Sequence, residues 1–91
     1  MEFEWDQEKS GKNLHERGFG FDFAALIFDG PVIERIDART DYGELRIRAI
    51  GAVGADILLV VYTDREERRR IISARLANEK EREEWRSFAN R

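Results

Sequence analysis

Ninety-one residues, of which 42% are hydrophobic and 38% are charged, can enclose one small core but not two. The net charge of −3 is made of 16 basic and 19 acidic side chains, a mixture that does not by itself imply disorder. The absence of cysteine excludes disulfides and thiolate chemistry, and a lone histidine makes a structural zinc site implausible.

Phe3 and Trp5 alternate with Glu2, Glu4 and Asp6, the period of a short strand with one buried face. This acidic start lacks the basic flank and apolar stretch of a signal peptide. Asp6 is placed to cap a helix over about residues 7–17, with Gly18 as its C-terminal stop. That helix is polar, with Leu14 its only large apolar residue, so its ends are expected to hold it. Asp22 can cap a second, shorter helix through Phe28, and Asp29-Gly30-Pro31 ends it. Val32 to Asp37 reads as a strand and residues 38–43 as a loop. Leu45 to Val53 is a strand with Leu45, Ile47 and Ala49 on one face and Glu44, Arg46 and Arg48 on the other. Gly54-Ala55-Asp56 is a hairpin turn. Ile57 to Thr63, apolar on both faces, is the central strand and is far too short to span a bilayer. A longer turn follows over Asp64 to Arg69, then a last strand from Arg70 to Arg75. Asn78 and Glu81 form a capping-box pair that opens a helix to about residue 90. The expected fold is a single α+β domain over residues 1–91: an N-terminal strand and two helices, an antiparallel four-strand meander, and a C-terminal helix.

Charge is unevenly distributed. Residues 65–75 hold five arginines, Arg65, Arg68, Arg69, Arg70 and Arg75, against Glu66 and Glu67, a local balance of +3. Cations gathered on one hairpin suggest an anionic partner, and the planar fork of arginine suits phosphate. In a meander these arginines share a sheet with Glu44, Arg46 and Arg48. One carboxylate among several guanidiniums can cleave a phosphodiester without a metal: the base removes a proton from a ribose 2′-hydroxyl while arginines hold the phosphate. The plainer reading of the same residues is a set of strand charges paired across a solvated face. His15 lies mid-helix with no nucleophile at a telling spacing, and Ser73 lacks the glycine context of a nucleophile elbow. Asp37, Asp41 and Glu44 do not have the spacing of a calcium loop. Trp5 and Trp85 suit core packing better than base stacking. Regular alternation points Arg70 and Arg75 to opposite faces, unless the strand ends or twists before Arg75. Otherwise one of the two is structural, and Arg70 is the riskier assignment, since Arg75 sits where the strand gives way to the helix.

Four ordered stretches resemble the BrnT toxin family of bacterial type II toxin–antitoxin systems. They are Phe3-Glu4-Trp5-Asp6 with Lys9 and Asn13; Gly18 with Phe21, Ala24 and Phe28; Asp37 with Tyr42-Gly43-Glu44, Arg46 and Gly51; and Val61-Tyr62-Thr63 with Arg65, Arg70-Ile71-Ile72-Ser73-Ala74-Arg75, Ala77, Glu81 and Arg82. Where the family usually has Lys-His-Gly the chain has Glu16, Arg17 and Gly18, a departure at the first two positions, and His15 is displaced by two positions from the family's histidine. The resemblance implies a RelE-like, metal-independent ribonuclease with no cofactor, which acts in the cytoplasm, cuts RNA and arrests growth. It also implies neutralisation by a BrnA-like ribbon-helix-helix antitoxin, with operator DNA bound only through the complex and no membrane partner. Carried over by position, Glu44 would be the general base. Arg65, Arg70 and Arg75 would bind the scissile phosphate, and Lys9 and Arg46 would support substrate binding. The alternative is a catalytically weak or inactive binding module that serves as antitoxin partner and co-repressor.

Overall fold

Phe3 and Trp5 place their rings on one side of strand β1 (Glu2–Trp5), as their alternation predicts. In the computed structural model, which describes residues 1–38 and 43–90, β1 leads through Asp6 into helix α1 (Gln7–Arg17). The Asp6 carboxylate accepts from the backbone N–H groups of Glu8 and Lys9, and Gly18 closes the helix in the left-handed conformation at φ 89°. The second helix differs from the expected one. It is a single α turn, α2 (Phe21–Ala24), followed by a 3₁₀ turn (Ala25–Asp29), and Gly20 rather than Asp22 precedes it.

Four further strands follow: β2 (Ile33–Ile36), β3 (Ile47–Val53), β4 (Asp56–Arg65) and β5 (Arg68–Leu76). Helix α3 (Glu79–Ala89) closes the described chain, and its Asn78–Glu81 capping box is formed in both directions. The sheet order is β1-β5-β4-β3-β2. Strands β2 to β5 form the expected antiparallel four-strand meander, but β1 adds to β5 in parallel, so among the described residues the sheet is five-stranded and mixed rather than wholly antiparallel. The turn expected over residues 64–69 is tighter: β4 runs to Arg65 and β5 restarts at Arg68, leaving Glu66 and Glu67 between them, with Glu66 at φ 56°. Most of the loop read over 38–43, including Asp41 and Tyr42, lies outside the described residues.

The sheet separates two apolar layers. Leu58, Val60 and Tyr62 of β4, with Ala49, Ile71 and Ala74, pack against Phe21, Ala24 and Ile27. On the opposite face Ile50 and Leu59 pack against Trp85, with Ile33, Ala52 and Phe88 beside them. Gly51 lies under the first layer. A Cβ there would come within 2.8 Å of Ile27 Cβ and 2.9 Å of Val32 Cγ1. Among the described residues, no helix is long and apolar enough to cross a membrane.

One irregularity reorders the basic strand. The β4–β5 register shifts between Val61 and Tyr62: Val61 pairs with Ser73 and Tyr62 with Ile71, so Ile72 is left as a bulge. Arg70 stands opposite Thr63 and Arg75 opposite Leu59. Both partners are odd residues of β4, on the α3 side, so the two arginines share a face. The expected opposition of Arg70 and Arg75 is thereby corrected, because the extra residue between them resets the alternation.

Candidate active site

Helix α1 has almost no apolar face, and its position depends on two buried polar side chains. Ser10 Oγ accepts from Phe21 N at 2.8 Å, and Asn13 Nδ2 donates to the Phe19 carbonyl at 2.9 Å. These bonds anchor the middle of the helix as well as its ends. They turn the neighbouring stripe of Lys9, Lys12, Glu16 and Arg17 toward the sheet. That stripe lines an open cavity of about 520 Å³ together with Phe21, Arg46 of the segment entering β3, and Ile72 and Ser73 at the β5 bulge. A smaller cavity of about 230 Å³ adjoins it, sharing Arg17 and Ser73 and bounded by Leu59, Val61 and Arg75.

The predicted site residues fall into three groups. Lys9 and Arg46 line the larger cavity together. Glu44, Arg46 and Arg65 form one cluster: Arg46 Nε donates to Glu44 Oε1 at 3.1 Å, Arg46 Nη2 lies 3.0 Å from the same oxygen, and Arg65 Nη2 is 3.7 Å from Oε2. Arg46 therefore joins the carboxylate to the cavity. Arg75 borders the smaller cavity, while its fork donates to both oxygens of Glu81 at 2.8 and 2.9 Å. Arg70 is on the same sheet face, bound to Glu4 of β1 at 2.9 Å.

Beyond the capping role read from the sequence, Glu81 holds two arginines. Its carboxylate accepts from Arg75, lies 3.4 Å from Arg48 Nη2 and caps α3 through the Asn78 N–H at 2.8 Å. Burial opposes its ionisation. The hydrogen bond from Arg75, the Asn78 backbone and the charges of Arg75 and Arg48 overcome that penalty, so its carboxyl stays below the usual range. Lys12 was also missed, although its place three residues after Lys9 on a polar helix was the available signal. On the other sheet face Tyr62 donates to Glu34, and Arg69 lies over the Tyr62 and Phe28 rings at 4.0 and 4.8 Å while bound to Asp64. Burial first, then the bond to Glu34, pushes the Tyr62 phenol far above its ordinary range, which suits packing and not proton transfer. No three of His, Asp and Glu converge as metal ligands among the described residues.

A basic cavity floored by a strand bulge, with one carboxylate held between two guanidiniums at its edge, has the parts needed to act on a phosphodiester. The comparison with protein families decides what kind of protein carries it. The model of the ribonuclease toxin BrnT of type II toxin–antitoxin systems matches residues 5–81. The chain belongs to the BrnT family. Among curated proteins no match is found. The BrnT match encloses Lys9, Glu44, Arg46, Arg65, Arg70 and Arg75, and also Lys12, Arg17 and Glu81. Membership of this family of ribonuclease toxins implies an antitoxin partner.

Proposed function

We propose that this BrnT toxin is a metal-independent endoribonuclease whose active centre is the Glu44–Arg46–Arg65 cluster at the edge of the basic cavity. The observation that carries the reading is the position of Arg46, which binds Glu44 at 3.0 Å and lines the cavity where Lys9 also stands. Glu44 takes the proton of a ribose 2′-hydroxyl. The 2′-oxygen attacks phosphorus, the bond to the 5′-oxygen breaks, and that oxygen leaves with a proton from water. Arg46 and Arg65 bind the phosphate and offset the charge that grows on it. Arg75 and Arg70 complete the candidate set from the same sheet face, though each already has a carboxylate against it. Lys9 adds a cation on the opposite wall.

The partner in this reading is a BrnA-like ribbon-helix-helix antitoxin, with operator DNA bound through the complex and both proteins in the cytoplasm. A second reading, a weak or inactive module that serves as antitoxin partner, draws support from the carboxylates already bound to Arg70 and Arg75 and from the net charge of −3. Induction of the chain without its antitoxin separates the two. The ribonuclease reading expects growth arrest with loss of intact RNA, and relief of both in a Glu44→Ala, Arg65→Ala variant. Loss of a general base alone slows such a step by about 10²–10⁴. Arrest that is equal in wild type and variant contradicts the site, and no arrest by wild type contradicts the activity.

A further inference from the structure

The candidate cations differ in one respect that bears on where RNA is held. Arg46 and Arg65 face Glu44, Arg70 faces Glu4, and Arg75 faces Glu81. Among the described residues, Lys9, Lys12 and Arg17 of α1 have no carboxylate partner, and Arg17 makes only a hydrogen bond to Asn13 Oδ1 at 3.0 Å. An arginine already opposed by an acid gains less from a phosphate than a lysine that is opposed by water alone. All three α1 cations line the same cavity, facing Ile72 and Ser73.

We propose that this stripe of α1 is the binding track for the sugar-phosphate backbone of the RNA strand, which leaves the Glu44 cluster free for the scissile group. The proposal rests on the ribonuclease reading and adds Lys12 and Arg17 to the substrate-binding residues. Lys9 and Arg17 are eight residue steps apart, about 12 Å along the helix axis, long enough to meet more than one phosphate. Ser10 and Asn13, buried one position away on the same helix, hold the stripe at a fixed angle to the sheet. Glu16 lies within the stripe and weakens the track by repelling the same backbone, although among the described residues it forms no ion pair with Lys12 or Arg17.

The test is equilibrium binding of the full chain to a 2′-O-methyl RNA oligonucleotide, which cannot be cleaved, between 50 and 200 mM salt, a range in which phosphate contacts govern affinity. Each phosphate contact to a single strand contributes about 0.7 to the slope of log K against log salt. The Lys12→Gln, Arg17→Gln variant is expected to flatten that slope by about 1.4, and Lys12→Gln alone by about 0.7. Lys12 makes no hydrogen bond that the fold requires, so the single variant keeps the test valid if the double variant melts early. Glu16→Gln is expected to tighten binding by about two-fold at low salt. Arg86→Gln, on α3 and bound to Glu79, is expected to leave the slope unchanged. An unaltered slope in both Lys12 variants overturns the proposal, as does an equal loss in the Arg86 variant. Loss of antitoxin binding with the RNA slope intact also overturns it and makes the stripe a protein interface. Wild-type protein that binds RNA with the expected slopes but does not cut it leaves the track standing and removes only the ribonuclease reading.

Discussion

Glu81 combines two jobs in one carboxylate. It closes the capping box of α3 and it holds Arg75 and Arg48 against the sheet. Its side chain is only 11% exposed, so its removal strands two guanidiniums in a partly dry site. Glu81→Ala is expected to destabilise the fold by about 2–3 kcal/mol, read from denaturant unfolding. The pH dependence follows from its depressed pKa. The folded state binds a proton on Glu81 less readily than the unfolded state, whose ordinary value is 4.5. The stabilisation is therefore complete above about pH 4.5 and is lost as pH falls through the lower folded value. Glu81→Gln is expected to flatten that part of the stability curve, and an unchanged acid limb would show that other carboxylates govern it.

At the scale of elements, the close contact between β3 and the 3₁₀ turn is the sharpest constraint. Gly51→Ala drives a methyl group against Ile27 Cβ, an atom next to the backbone that cannot swing aside. A loss of about 1–3 kcal/mol is expected in thermal unfolding. Much of the element plan was legible because local chemistry sets it. Asp6 and Gly18 bound α1, and Asn78 with Glu81 opens α3. Three things were not legible. The parallel joining of β1 to β5 is a long-range pairing with no local signature. The hold on α1 comes from Ser10 and Asn13, small polar side chains that carry no periodicity. The bulge at Ile72 depends on register against β4, and nothing in Arg70-Ile71-Ile72-Ser73-Ala74-Arg75 announces it. For the site, the sequence named Glu44 and Arg46, which the fold brings together, and placed Lys9 on the helix that faces them. It did not separate cations already paired with acids from those left to solvent, since that distinction is made only when strands align.

At the scale of the whole molecule, a net charge of −3 coexists with a basic groove because the acids are distributed to control the arginines. Glu4 binds Arg70 from the edge strand, Glu81 binds Arg75 from the last helix, and Glu44 is shared by Arg46 and Arg65. The mixed sheet makes this possible by setting β1 directly beside β5, with Glu4 opposite Arg70. Among the described residues that line this cavity, the positive charge left without a carboxylate is on α1, across the cavity from the bulge. In this account the sheet supplies the chemistry and the helix supplies much of the hold on RNA. The most direct measurement is the initial rate at which purified chain cleaves an RNA oligonucleotide in the presence of EDTA, compared with Glu44→Gln. The account predicts cleavage by the wild type and a rate about 10²–10⁴ lower in the variant, with RNA binding retained. Equal rates for the two proteins, or no cleavage by the wild type under conditions where it binds RNA, would contradict it.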